Sequence, residues 1–185
     1  MAETGVRART RRAIVDAAIE LFTAQPNASL GDVAAAANVG RTTLHRYFPE
    51  RSDLVDAISA DALEKVRAGT AKACTEDGPV PAALTRLCQE YFEFGDVFML
   101  LFTMPELMTR EEWHQESEDD RALLRLVERG HREGSIDEAM PAEWLQNLLW
   151  SLLYTSWELV RDKDMPKHTA LTLCMNTLNK VIAVS

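Results

Sequence analysis

Cysteine is scarce in this 185-residue chain, with three residues, Cys74, Cys88 and Cys174. Their odd number and wide spacing give neither a CxxC pair nor a disulfide framework, so a reducing compartment, the cytoplasm, is expected. No apolar run approaches the roughly 18 residues that signal a transmembrane helix. The opening MAETGVRARTRR lacks the apolar core of a secretory signal. Alternating strand patterns and Asn-Gly or Asp-Gly hairpin turns are missing too, which argues against a sheet. Recognisable catalytic chemistry is equally absent. The histidines at 45, 114, 131 and 168 are scattered, with no HExxH and no Cys/His cluster of metal-ligand spacing. There is no GxSxG elbow, P-loop or GxGxxG. The acidic run from Glu111-Glu112 to Glu116-Ser117-Glu118-Asp119-Asp120 reads as a solvated helix face rather than a metal site. The expectation is therefore no enzyme, no metal and no cofactor.

What the chain does have is an uneven charge. The net charge is −9, which looks wrong for a nucleic-acid binder. Residues 1–51, however, carry seven arginines (7, 9, 11, 12, 41, 46, 51) against five acids, a balance of +2. The remainder holds 13 basic and 24 acidic residues, a balance of −11. Opposite signs suggest a DNA-facing end and a solvated, DNA-repelling body. The hydrophobic fraction of 46% is that of a globular protein with a substantial core.

Periodicity predicts an all-α fold of about nine helices, an N-terminal three-helix head with a helix–turn–helix followed by a helical bundle. Residues 1–8 read as a mobile arm, with Arg7, Arg9, Arg11 and Arg12 placed to approach phosphates or the minor groove, and helix one runs from about 10 to 24 before Pro26-Asn27. Two short helices fall within 29–48. Pro49 precedes a fourth helix, from 51 to about 74, with Leu54, Ile58, Ala62 and Val66 on one stripe. Further helices are expected at 81–93, 95–107, 110–133, 141–162 and 166–183, punctuated by Gly and Pro. A division into residues 1–53 and 54–185 follows.

The segment 29–48, SLGDVAAAANVGRTTLHRYF, has the spacing of a complete helix–turn–helix. Leu30, Val33, Ala34 and Ala37 form an apolar stripe whose small alanines let another helix approach. Ser29 is a good N-cap, with Asp32 three residues on to favour the positive helix end. Asn38 suits the left-handed backbone of the turn, and Val39 can plug the angle between the helices. Leu44 and Phe48 are the inward anchors. Arg41, Thr42, Thr43, His45, Arg46 and Tyr47 remain on the polar side, where a second helix can enter the major groove. An ordinary helical hairpin has the same spacing.

From about Arg11 to Leu54 the chain resembles the N-terminal domain of TetR (tetracycline-repressor-like) transcriptional regulators. An amphipathic first helix (Ile14, Ala17, Ala18, Leu21, Phe22) precedes the helix–turn–helix, and a segment from His45 to Leu54 follows the family's Tyr-x-x-Phe-x-x-Lys-like pattern. Three positions depart from it. Asn38 stands where the family usually has Gly, Gly40 where a Ser or Thr commonly opens the recognition helix, and His45 with Arg51 where Tyr and Lys are usual. The resemblance implies a homodimer that binds a palindromic double-stranded operator. Arg41, Thr42, Thr43 and Arg46 are the candidates for base edges. Ser29, His45, Tyr47 and Arg51 are expected along the phosphates, Arg51 bidentately, and Gly40 is counted among the DNA-facing positions although it lacks a phosphate-binding hydroxyl.

Two apolar groups stand out beyond residue 80. Phe94, Phe98 and Phe102, four apart, share a helix face, with Met99, Met104, Met108 and Trp113 nearby. They suit either an aromatic core or a pocket for a flat, greasy molecule. TetR-like bodies commonly hold an effector among their middle helices, so Phe94, Phe98, Met99, Phe102, Met108 and Trp113, with Trp150, Tyr154 and Trp157, are the expected lining of a site for a small hydrophobic or aromatic effector. The helix expected at 141–162 is apolar over most of its circumference and needs a partner on more than one side. Trp144, Leu145, Leu148 and Leu152 on it, with Leu171, Met175 and Leu178 on the last helix, are the expected dimer interface, and a symmetric pair supplies two reading heads. The expected whole is a cytoplasmic, ligand-responsive repressor without membrane attachment. The alternative is a helical ligand-binding or enzymatic bundle whose helix–turn–helix no longer binds DNA.

Overall fold

A computed structural model of the chain describes residues 2–73, 75–114 and 121–183, apart from the side chains of 2–4 and 114. Cys74 and the acidic positions 116–120 lie outside the described residues. Among those described there are ten α-helices, one 3₁₀ turn and no strand. The all-α expectation holds. No helix among them is long and apolar enough to cross a membrane.

The chain divides into two compact units. Unit one comprises Met1–Leu63 and Met99–His114, and unit two Glu64–Phe98 and Gln115–Ser185. The boundary expected between 53 and 54 falls in the first turn of a helix that continues from Arg51 to Lys72.

Unit one holds α1 (Ala2–Ala24), α2 (Leu30–Ala36), α3 (Arg41–Tyr47) and the first three turns of α4 (Arg51–Lys72). To these it adds the end of α6 (Gly95–Thr103), the 3₁₀ turn Pro105–Leu107 and α7 (Glu111–His114). Of the residues that periodicity selects, Ile14, Ala18, Phe22, Val33, Ala34, Leu44, Phe48, Leu54 and Ile58 are buried, whereas Ala17, Leu21, Leu30 and Ala37 are half-buried. Of the mobile arm expected at 1–8, residues 2–8 are instead the start of α1, and Met1 lies outside the described residues. The stretch contains no proline, its Ala2, Arg7 and Ala8 are good helix formers, and Thr10 Oγ1 donates to the Val6 carbonyl at 3.0 Å. Arg12 ties α1 to α4, bonding to Asp16 and Asp61. The helix expected at 95–107 breaks at Met104, because Pro105 cannot continue it and starts the 3₁₀ turn. That turn is fastened to α4: Ser59 Oγ donates to the Leu107 carbonyl at 2.7 Å and accepts the Trp113 indole N–H at 2.9 Å.

Unit two holds the remainder of α4, α5 (Val80–Phe92), the start of α6, α8 (Ala122–Glu133), α9 (Ala142–Asp162) and α10 (Lys167–Ile182). The helix expected over 110–133 is represented by α7 and α8, with 115–120 undescribed between them. α8 stops at Gly134, whose φ of 67° lets the Ser135 N–H turn back to the Gly130 carbonyl. Two arginines organise the bend after α4. Arg86 donates to the carbonyls of Ala73 and Asp77, and Arg129 to those of Thr75, Glu76 and Gly78. The long α9 and α10 pack along each other, and α5 lies against both.

Candidate nucleic-acid interface

The site is built on the α2–α3 corner of unit one. Ser29 caps α2 with a full capping box. Its Oγ accepts the Asp32 N–H, while Asp32 Oδ2 accepts the Ser29 N–H at 2.8 Å and its hydroxyl at 2.7 Å. α2 ends where Asn38 takes φ 53°, and the Asn38 and Val39 N–H groups return to Ala35 and Ala34. The turn chemistry expected of Asn38 is thus observed. Gly40 then opens α3 with no side-chain cap, and its φ of −68° needs no glycine.

Leu44 and Phe48 point into the core of unit one. Arg41, Thr42, His45 and Arg46, at i, i+1, i+4 and i+5, form one exposed face, with Thr43 and Tyr47 half-buried at its sides. Four polar side chains, three of them able to carry positive charge, thus lie along a single helix edge that its own core anchors hold in place. Such an edge can offer guanidinium forks to guanine and hydroxyls to phosphate or base.

Two expected phosphate contacts are differently employed. Arg51 is turned inward: its η nitrogens donate to the Ala28 carbonyl at 2.5 Å and the Pro26 carbonyl at 2.7 Å, and its guanidinium lies 4.3 Å from the Phe22 ring centroid. It pins the approach to α2 instead of holding a fork out to phosphate, because three partners from distant positions, the buried Phe22 and Ala28 and the exposed Pro26, converge there. The Ser29 hydroxyl gives its proton to Asp32. His45 Nδ1 lies 3.3 Å from the Pro49 carbonyl, a bond in which the ring nitrogen is the donor.

A contact the spacing did not reveal lies at the side of this face. The Arg7 and Arg46 guanidiniums stand 5.9 and 5.6 Å from the Tyr47 ring centroid, and Val6 joins them around a surface pocket of 310 Å³. The first turns of α1 thereby reach the recognition helix. The only signal in the sequence was the cluster of Arg7, Arg9, Arg11 and Arg12.

The capping box makes a pH prediction. Hydrogen bonds from the Ser29 hydroxyl and N–H, helped by the Arg41 charge, hold the Asp32 carboxyl below its ordinary 3.8. A lowered folded value means the contribution is present above the ordinary pKa and is lost as pH falls through the folded value. Ser29→Ala should cost about 1 kcal/mol at neutral pH. Asp32→Asn should flatten the acid limb of the stability curve below about pH 4. Urea titrations monitored by circular dichroism at pH 3 to 7 check both.

The family model for bacterial regulatory proteins of the tetR family matches residues 14–58, the span from α1 to the first turns of α4. The HTH-type transcriptional repressor LfrR of Mycolicibacterium smegmatis is 34% identical over 181 residues, 97% of this chain and 94% of the relative. This chain belongs to the tetR family. The crystal structure of the TetR-like regulator LfrR from Mycobacterium smegmatis in complex with proflavine superposes with a TM-score of 0.76 at 34% identity, covering 97% of this chain and 99% of that one. A TetR-family regulator from Marinobacter aquaeolei shares the fold, with a TM-score of 0.72 over the full length of both chains at 18% identity. The α2–α3 corner is accordingly the DNA-binding helix–turn–helix of a transcriptional regulator.

The aromatic residues expected to line an effector site of this tetR-family protein divide between the units. Met99, Phe102, Met108 and Trp113 belong to unit one. There Met99 is buried, Phe102 and Met108 are exposed, and the Trp113 indole N–H is engaged by Ser59. In unit two, Phe98 and Trp150 meet at 4.7 Å, and Trp150 stacks on Tyr91 at 5.4 Å with an 18° interplanar angle. Tyr91 OH shares a 2.7 Å hydrogen bond with Thr70. Tyr91 escaped the sequence reading, although Leu84, Leu87, Cys88 and Tyr91 lie at i, i+3, i+4 and i+7 on one helix face. Phe94, half-buried, lies against Gly69, and Tyr154 is also half-buried. Trp157 is a core wedge rather than a lining residue. Its indole N–H donates to the Phe92 carbonyl at 2.8 Å and its ring covers Gly95.

The α9–α10 pair likewise splits the expected interface residues. Leu145 and Leu178 are buried within unit two, because they face the helices packed beneath them. Trp144 is 60% exposed, and Leu148, Leu152, Leu171 and Met175 are half-buried. Leu173 on α10, 48% exposed, joins the outward apolar residues. No group of three or more His, Cys, Asp or Glu among the described residues is arranged to hold a metal ion.

Proposed function

We propose that this regulator is a homodimeric repressor that reads a palindromic operator with α3 and leaves it when a flat, largely apolar aromatic molecule binds. The exposed edge Arg41–Thr42–His45–Arg46, anchored from beneath by Leu44 and Phe48, carries the reading. In the proposal Arg41, Thr42, Thr43 and Arg46 meet base edges, while His45, Tyr47 and Arg7 hold phosphates. Residues 1–53 serve as the DNA-binding domain and 54–185 as the ligand and dimerisation domain.

The effector class rests on two supports. The Tyr91–Trp150–Phe98 cluster, with one stacked and two tilted ring pairs around the half-buried Trp150, is an aromatic surrounding of the sort that receives a planar ring. The LfrR structure, over nearly the whole length of both chains, holds proflavine. The dimer is assigned to the outward apolar side of α9 and α10, with Trp144, Leu148, Leu152, Leu171, Leu173 and Met175 on its surface, and a cytoplasmic location accompanies the DNA-binding role. Two identical heads match a two-fold operator.

A salt series of mobility-shift titrations on DNA upstream of the chain's own gene tests the reading. Specific binding should weaken linearly in log Kd against log salt and be released by a planar aromatic dye. Absence of a complex even at low salt would leave only a ligand-binding helical bundle.

A further inference from the structure

The three cysteines form no motif in the sequence, yet two of them meet in unit two. Cys88 on α5 and Cys174 on α10, 86 positions apart, face each other with their sulfurs 3.5 Å apart. Both are free thiols and both are buried, at 0% and 2% exposure. A thiol in a hydrophobic core is ordinarily an inert small hydrophobe. Here the surroundings differ, because each sulfur has the other as hydrogen-bond partner and the Ser156 hydroxyl adjoins Cys174.

We propose that Cys88 and Cys174 are a peroxide-oxidisable dithiol that closes into an intrachain disulfide bracing α5 to α10. The gap must shrink by about 1.5 Å to reach a bonded distance of about 2.05 Å, a motion of side-chain scale. The polarity of the pair sets the order of events. With Cys88 as the donor across this contact, its S–H favours the Cys174 thiolate against the opposing effect of burial, while the Ser156 hydroxyl gives its proton to the Leu152 carbonyl. Cys88, facing that charge in the same dry site, is pushed up and keeps its proton. Cys174 is therefore the attacking sulfur.

Its thiolate displaces hydroxide from hydrogen peroxide, forming the sulfenic acid, and the hydroxide takes up the proton that Cys174 released, giving water. The Cys88 sulfur then attacks the Cys174 sulfur and expels hydroxide, which combines with the Cys88 proton. Two thiols lose two electrons and the peroxide becomes two waters. Burial selects the oxidant. A small neutral peroxide can enter through local opening of the helices, whereas a bulky anionic disulfide such as oxidised glutathione cannot reach either sulfur.

Trypsin separates the three cysteines into different peptides, residues 73–86, 87–110 and 168–180. The full-length protein is treated with hydrogen peroxide, alkylated under denaturing conditions and digested without reduction. The expected product is peptide 87–110 linked to 168–180, removable by dithiothreitol and absent from Cys88→Ser and Cys174→Ser. Oxidised glutathione should leave both sites alkylatable. A Cys74→Ser variant should retain the link and shows whether Cys74 is needed for it. Full alkylation of Cys88 and Cys174 after peroxide, a link that includes Cys74, or Cys174 stopping at the sulfinic acid would each overturn the proposal. The wild-type peptide map decides the matter even if a serine variant fails to fold.

Discussion

Gly95→Ala is expected to lower the thermal midpoint of unit two sharply and to cost about 3 kcal/mol or more, at the upper end of overpacking penalties. The added Cβ would sit 2.3–2.5 Å from the Cδ2, Cε2 and Cζ2 atoms of Trp157. Nothing at that site yields easily. The indole N–H is bonded to the Phe92 carbonyl at 2.8 Å, and the ring stacks on Phe92 at 4.9 Å with an interplanar angle of 27°. Lys167 lies over the ring at 4.8 Å. Moving the ring therefore strands a buried donor and loses an aromatic contact together. The check is thermal unfolding by circular dichroism with a double-mutant cycle. In a Trp157→Leu background, itself destabilised, the further cost of Gly95→Ala should shrink substantially, because the clash partner is gone. A Gly95→Ala midpoint indistinguishable from wild type would show that the glycine is not required for the ring's approach.

The second large effect falls on DNA. Arg41→Ala and Arg46→Ala should each weaken specific binding by about 1–3 kcal/mol, roughly 5- to 150-fold, if each guanidinium forks onto a base edge. Together they should bring affinity for the operator close to that for random DNA. Both side chains are exposed, so folding should be unaffected, and the oligomeric state should persist because neither lies on α9 or α10. Arg51→Ala should behave differently. Its guanidinium holds Pro26 and Ala28, so the variant should lose thermal stability as well as affinity, and lose it for specific and random DNA alike. Anisotropy titrations against operator and scrambled DNA, paired with melting curves, separate the two patterns. Equal losses for both DNAs from Arg41→Ala would assign that residue to the phosphates.

The recognition head was legible because its determinants are local. Ser29 and Asp32 are three residues apart, Asn38 needs only its own backbone, and Leu44 and Phe48 repeat at helical spacing. The stripe Leu54, Ile58, Ala62 and Val66 is buried as its periodicity requires. Misreadings arose where a side chain's partner is remote. Nothing near Arg51 in the sequence announces the carbonyls of Pro26 and Ala28. Nothing near Trp157 announces Phe92, 65 positions away. The start of α1 was missed for another reason: the exposed residues 5–9 have no apolar stripe to mark them as helix, and their tie to the head is a pair of guanidiniums around Tyr47. Cys88 and Cys174 each fit the apolar pattern of their own helix, and only packing shows that they share one place.

The central claim is that α3 of a two-fold dimer reads a specific sequence. Selection of bound duplexes from a random DNA library by the full-length protein at physiological salt tests it most directly. The expected result is an enriched inverted repeat, its half-sites related by whole helical turns of about 10–10.5 base pairs, or by the spacing a bend permits. Enrichment should disappear for the Arg41→Ala, Arg46→Ala double variant and be suppressed by a planar aromatic dye. Recovery of no repeat, with affinity no greater than for random DNA, would contradict the claim.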